Sequence, residues 1–399
     1  MPGGLTITDE VMVGGVAAGG DGIGRLADGR VVFCEGGLPG ERVAIAVTER
    51  RKDFARAVVV DVVEPSAARR APPCPHVARG CGGCTWQHVR PPDQLALKAD
   101  IVRDALRRIA GRPDADVRLA PATRGNVGER GYRTTVHMAV DGTGRPSYRR
   151  RHSHDPIPVD SCLVAHPLLA ELVTEARFPG AREVGLRVGA GTGERMAWPD
   201  RAQARSLVPT GTRLGRSAAV HEIVAGRRWR VSGGAFFQSG PQAAELLVAS
   251  VVAAAGPVAG PIVDLYAGGG LLGGSVAAAT GSTNLVAVES NAAAVADARA
   301  NLADLGAQVV QVEVAGYRGA SADLVIADPA RTGLGPSGAA AAAALGAPIL
   351  VLVSCDPASL ARDTRILATL GYDLEMVEVL DLFPDTFHTE TVSRFRTGR

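Results

Sequence analysis

The chain has 399 residues, more than one ordinary core organises, so two or three domains are expected. With 46% hydrophobic residues it can bury sizeable cores, and a net charge of +2 neither announces a nucleic-acid partner nor excludes one. "MPGGLTITDE" offers no basic or apolar leader, and the alanine-rich stretches break at Gly or Pro before the ~20 apolar residues of a membrane span, so a soluble, cytoplasmic protein with reduced cysteines is expected.

Residues 1–64 read as a small all-β barrel, with short runs such as "RVAIAVTE" (42–49) and "ARAVVVDVVE" (55–64) separated by glycine-rich turns. Barrels of this size often bind RNA. "EPSAARRAPP" (64–73) is a linker rich in Pro and Arg. Cys74, Cys81 and Cys84 follow at C-x6-C-x2-C spacing, with Cys162 the available fourth thiol. Four thiolates can hold zinc or an iron–sulfur cluster, and spacing alone favours zinc. A helix is predicted over 93–112. Residues 130–235 mix strands and loops and carry the basic tract "YRRRHSH" (148–154), a candidate phosphate-contacting surface. Trp86 is read as packing on the cysteine loop, with base stacking as its other use. Cys34 is read as a buried barrel residue. Arginine supplies nearly all the basic charge; the two lysines are Lys52 and Lys98.

From 236 to 399 apolar strands alternate with alanine-rich helices, the pattern of a parallel sheet. "PIVDLYAGGG" (261–270) is a strand entering a glycine turn, and the next strand, "NLVAVES", ends at Glu289, where an acidic residue commonly meets ribose hydroxyls. The turn lacks a full G-x-G-x-x-G, which favours S-adenosylmethionine over a dinucleotide. "ADLVIADPAR" ends at Asp328 and Arg331, and "PILVLVSCD" at Cys355. The C-terminal ends of parallel strands share one rim, so Asp264, Glu289, Asp328 and Cys355 are expected to meet.

A thiol before a helix N-terminus is expected to be acidified by the dipole. Beside a methyl donor it suits one chemistry. Carbon 5 of a pyrimidine is a poor nucleophile until a thiolate adds at carbon 6. After methyl transfer a base must take the carbon 5 proton before the thiol can leave. Glu390, in "HTET", is the best-placed base.

"SCDPASLARD", "DPARTGLG", "DLYAGGG", "FFQSG" and "LFPDTFHTET" together resemble the RNA 5-methyluridine (uracil-5-) methyltransferase family, in order and over nearly the whole chain. The resemblance implies Cys355 as nucleophile and Glu390 as base. It implies Gln238, Tyr266, Glu289 and Asp328 as S-adenosylmethionine contacts, with Arg331 steadying the enolate oxygen. It implies a [4Fe–4S] cluster on Cys74, Cys81, Cys84 and Cys162, with zinc as the alternative. It further implies an RNA-binding TRAM barrel over 1–64, a central α+β domain over 65–235 and a Rossmann-like class I methyltransferase domain over 236–399. Ribosomal RNA is favoured as substrate over transfer RNA, and no obligate protein partner is implied. This chain departs from the family at Leu271, where a polar residue is usual, and offers only Glu313 near the adenine. Two readings of other classes remain: a redox or radical iron–sulfur enzyme, and a non-catalytic RNA-binding protein, which would need neither Cys355 nor Glu390.

Overall fold

The computed structural model describes residues 7–201 and 205–398; the first six residues of the N-terminal reading lie outside them. The N-terminal strands form one six-stranded sheet in the order Asp9–Met12, Arg42–Arg50, Phe54–Glu64, Val31–Glu35, Gly22–Arg25, Gly15–Val16. Register shifts between the two long strands bend the sheet. The Val13 N–H donates to the Glu41 carbonyl at 2.9 Å and the Gly14 N–H to the Ile23 carbonyl at 2.8 Å, so two consecutive residues bond to opposite ends of the strand order. Val11, Val32, Val43, Ile45, Ala55 and the fully buried Cys34 fill the interior.

The segment after the barrel is not a free tether. Glu41 is fully buried, and such a carboxylate needs donors. It receives the Leu38 N–H at 2.8 Å, the Ser66 N–H at 3.2 Å and the guanidinium of Arg69. The middle of the chain builds a six-stranded sheet in the order Pro156–Ile157, Pro146–Arg149, Thr135–Val140, Glu183–Val188, Arg195–Pro199, Thr212–Leu214. The helix Pro167–Glu175 lays Leu169, Leu172 and Val173 against it.

The C-terminal part is an eight-stranded sheet in the order Gln308–Gln311, Leu285–Glu289, Ile262–Leu265, Leu324–Ala327, Ile349–Ser354, Glu390–Thr397, Tyr372–Leu380, Val117–Leu119. Its neighbours pair in parallel except around Glu390–Thr397, which runs antiparallel to both of its own. Strand order reverses beside Ile262–Leu265, the switch point where open α/β sheets bind ligands. The helix predicted over 93–112 is observed as Pro91–Ala105, continued by a wider turn to Ala110 and stopped at Gly111 with φ 66°. Its Ala99, Val102 and Leu106 pack with Val377, Val379 and Phe395, and Val117–Leu119 adds the sheet's last edge. The stretch 91–119, placed by sequence in the middle of the chain, is therefore part of the C-terminal layer. Three residues of edge strand give no periodicity to read.

Candidate active site and cysteine cavity

Strand ends position the site. At the first, Tyr266 takes φ 60°, a left-handed conformation that is uncommon for an aromatic residue and disfavoured by ~1–2 kcal/mol. Gly268 (φ 55°) and Gly270 (φ 85°) complete the turn into the helix Leu271–Thr280. Glu289 faces this turn from the next strand and accepts the Gly268 N–H at 2.9 Å and the Asn291 N–H at 2.7 Å. Both carboxylate oxygens keep lone pairs for further donors. Asp264 lies beneath, accepting the Gly273 N–H at 2.8 Å through Oδ2 while its buried Oδ1 has no partner. Burial, opposed by the Gly273 N–H and reinforced by Asp328 and Glu289, pushes its carboxyl up to about 7.

The strand Ile349–Ser354 ends at Cys355, and Asp356 caps the following helix, its carboxylate accepting the Ser359 N–H at 2.7 Å. The expected acidification of the thiol is not observed. Burial first, then Glu390 and Asp328, push Cys355 up to about 11, against the opposing charge of Arg331. The positive end of the helix is already answered by its own capping carboxylate. Glu390 is 4% exposed, and burial and Asp328 raise its carboxyl well above the usual range. Burial also raises Asp328, to about 7. The rim thus gathers buried carboxyl groups short of positive charge, a setting that favours a cationic ligand.

Glu390 follows the loop Asp381–Thr389, which is fastened from several sides. Lys98, fully buried, donates to Asp381 Oδ1 at 2.6 Å and the Phe383 carbonyl at 3.1 Å. The Tyr132 hydroxyl donates to the Pro384 carbonyl at 3.1 Å. Asp385 Oδ1 receives Arg70 at 2.7 Å and Gln94 at 3.1 Å, and Gln94 Oε1 accepts the Asp385 N–H at 2.7 Å. Ser239 Oγ donates to the Leu382 carbonyl at 3.2 Å, so the segment carrying Gln238 abuts the same loop. Gln238 itself is nearly buried, while Phe236, two residues earlier, is 71% exposed. Arg331 reaches His388 Nδ1 at 3.3 Å. His388 is held down to about 4 by burial and by Arg331, Lys98 and Arg133, so its ring accepts this bond. Lys98 and Phe236 were not singled out as site residues. A lysine on the apolar side of a predicted helix in an arginine-rich chain was the available signal for the first; nothing in the sequence marks the exposure of the second.

A cavity of about 420 Å³ lies in the central domain, lined by Cys74, Cys81, Cys84 and Cys162 together with Tyr148 and Arg133. Among the described residues no group of three or more His, Cys, Asp or Glu is arranged to hold a metal ion. The thiols surround a space without converging on a point. Burial raises Cys84 to about 12, with Cys162 adding to it, and Cys81 is raised by burial and by Cys162 and Cys74. The Tyr148 hydroxyl is 3.2 Å from Cys162 Sγ. Trp86 is 2% exposed. Its Nε1–H donates to the Gly20 carbonyl at 3.1 Å and its backbone N–H to the Asp385 carbonyl at 2.8 Å. It joins barrel, cysteine loop and Glu390 loop, leaving no face for a base. The tract 148–154 is likewise mostly engaged internally. Arg149 pairs with Glu183, Arg150 donates to the Arg79 carbonyl at 3.1 Å, and Glu35 of the barrel takes Arg151 at 2.8 Å and His152 at 3.0 Å.

Comparison with known proteins agrees with this architecture. Residues 8–60 match the TRAM domain and residues 232–344 the methyltransferase small domain. An RNA methyltransferase of Streptomyces coelicolor is 36% identical, over 96% of this chain and 92% of its own length. The 23S rRNA (uracil(1939)-C(5))-methyltransferase RlmD of Halomonas elongata is 32% identical, over 96% of this chain and 88% of its own. The crystal structure of the Pyrococcus abyssi tRNA (uracil-54, C5)-methyltransferase, bound to S-adenosyl-L-homocysteine, shares the fold with a TM-score of 0.72, covering 97% of this chain and all of its own at 23% identity. No helix among the described residues is long and apolar enough to cross a membrane. Full-length similarity above 30%, an N-terminal TRAM domain and a methyltransferase module place this chain in the RNA 5-methyluridine (uracil-5-) methyltransferase family.

Proposed function

We propose that this enzyme methylates carbon 5 of a uridine in RNA, with ribosomal RNA favoured over transfer RNA, through a covalent bond from Cys355 to carbon 6. The carrying observation is the pairing of Ser354 with Thr391, which sets Cys355 and Glu390 side by side at the rim. Once its thiol proton has passed to solvent, Cys355 Sγ adds to carbon 6 and the ring's double-bond pair moves onto the carbon 4 oxygen as an enolate, leaving carbon 5 nucleophilic. Bound S-adenosylmethionine supplies the methyl group. Glu390 then takes the carbon 5 proton, the thiolate leaves and the ring double bond returns. A base with a raised pKa is well matched to a carbon-bound proton once ionised. Tyr266 and Glu289 at the glycine turn, Asp328 at the neighbouring strand end and Gln238 beside the Glu390 loop are the proposed contacts to the cofactor. Its sulfonium would relieve the excess of buried carboxyl groups. Arg331 is the proposed partner of the enolate oxygen.

The proposed division is an RNA-binding barrel over 1–64, a central part over 65–235, whose stretch 91–119 joins the C-terminal layer, and the methyltransferase over 236–399. The four cysteines are proposed to hold a [4Fe–4S] cluster. Four thiols around a space suit a multi-atom cluster better than one tetrahedral zinc ion. The close relative acting on 23S rRNA supports the ribosomal choice.

The test uses RNA fragments bearing 5-fluorouridine, from 23S and transfer RNA, with S-adenosylmethionine. Fluorine cannot be abstracted as a proton, so the adduct should persist through a denaturing gel with wild type and vanish in Cys355→Ser. Lack of any adduct with either RNA class would sink the proposed reaction.

A further inference from the structure

We propose that Arg133 is the internal counter-ion of the cluster held by the four cysteines and raises its reduction potential. This rests on the cluster reading above. Arg133 lines the same cavity as Cys74, Cys81, Cys84 and Cys162. Its backbone is fixed beside Cys162: its N–H donates to the Val164 carbonyl at 2.8 Å, and its carbonyl accepts the His166 N–H at 2.8 Å. The other arginines lining the cavity are committed to Glu183, the Arg79 carbonyl and Glu35. Among the described residues Arg133 forms no ion pair with a carboxylate; its side-chain neighbour is the Tyr132 hydroxyl. Tyr132, which also hydrogen-bonds to its side chain, and then Tyr148 and Cys84 are the leading groups that favour its charge, and its Nε is buried without a hydrogen-bond partner. A guanidinium cannot shed its proton, so a largely enclosed one calls for an anion. An iron–sulfur cluster with four thiolates carries net negative charge and sulfur acceptors, and charge and hydrogen bonds at the sulfurs set its potential.

The experiment compares anaerobically purified full-length wild type, Arg133→Gln and Arg133→Lys. Iron and sulfide content and the midpoint potential are read by dithionite titration followed by electron paramagnetic resonance. Loss of the charge in Arg133→Gln is expected to lower the reduced-to-oxidised ratio at fixed potential about tenfold, a fall of about 59 mV for a one-electron couple, and Arg133→Lys should stay near wild type. Arg133→Gln without iron, beside an iron-replete Arg133→Lys, also supports the counter-ion. A wild-type potential in Arg133→Gln, or equal loss of iron from both variants, overturns it. Iron-free wild type would instead overturn the cluster reading itself.

Discussion

Ser354 and Thr391 are partners across an antiparallel strand pair, and the Thr391 hydroxyl also donates to the Ser354 carbonyl at 3.0 Å. Ser354 precedes Cys355 and Thr391 follows Glu390, so this rung fixes the spacing of the two proposed reactive residues. If Glu390 acts only after methyl transfer, Glu390→Gln should still form the adduct with ordinary RNA and S-adenosylmethionine but release it slowly. Turnover is expected to fall by about 10²–10⁴-fold, with covalent protein–RNA accumulating on denaturing gels. Loss of turnover with no accumulation would move Glu390 to a step before methyl transfer.

The thiol of the free enzyme sits at about 11, raised by burial and by two carboxyl groups. Alkylation of Cys355 by iodoacetamide, mapped by mass spectrometry, should rise about tenfold per pH unit between pH 7 and 10, since only the thiolate reacts. Glu390→Gln should speed the reaction at pH 9 by removing a negative neighbour. A plateau beginning below pH 8 would restore the dipole-acidified thiol.

Asp385 adopts φ 65° and joins the Glu390 loop to Arg70 and Gln94. In Asp385→Ala the half-buried Arg70 keeps only Glu129 as carboxylate partner. A stability loss of about 3 kcal/mol is expected, with kcat falling more than KM changes. Asp385→Asn tolerates the left-handed backbone and retains an acceptor, so it should lose about half as much. Denaturant unfolding and steady-state kinetics of the pair check this. Unchanged stability in Asp385→Ala would show that the loop is held elsewhere.

The rim was legible because each strand is a short apolar run ending in a polar residue, and parallel strands send those ends to one side. The thiol pKa was not. It sums Glu390, Asp328 and burial, contributed by three separate segments, whereas the dipole rule sees only the adjacent helix. The internal partners of the basic tract 148–154 were not legible for a similar reason: Glu35 and Glu183, which engage Arg151 and Arg149, lie over thirty residues away in either direction. Lys98 could have been found, because a lysine on the apolar side of a helix otherwise surrounded by arginines marks a place for a compact buried charge.

The raised carboxyl groups make the free protein's stability depend on pH in a defined direction. Asp264 and Asp328 titrate at about 7 when folded and near 4 when unfolded, so between these values the folded state binds more protons. Their contribution is fully present below about pH 4 and is lost as pH rises through 7, at up to about 1.4 kcal/mol per pH unit for each group. Asp328→Asn removes one of these groups, so its unfolding free energy should fall less steeply from pH 5 to 8 and exceed wild type at pH 8. The same variant should lose methyl transfer, trading function for stability. S-adenosylmethionine, a cation, should stabilise wild type more at pH 8 than at pH 5.5, because it prefers the ionised rim. Denaturant unfolding across this range, with and without the cofactor, measures both effects. Equal slopes for wild type and Asp328→Asn would mean that Asp328 is ionised in the free enzyme well below pH 7, and the rim would then hold its negative charge before any ligand arrives.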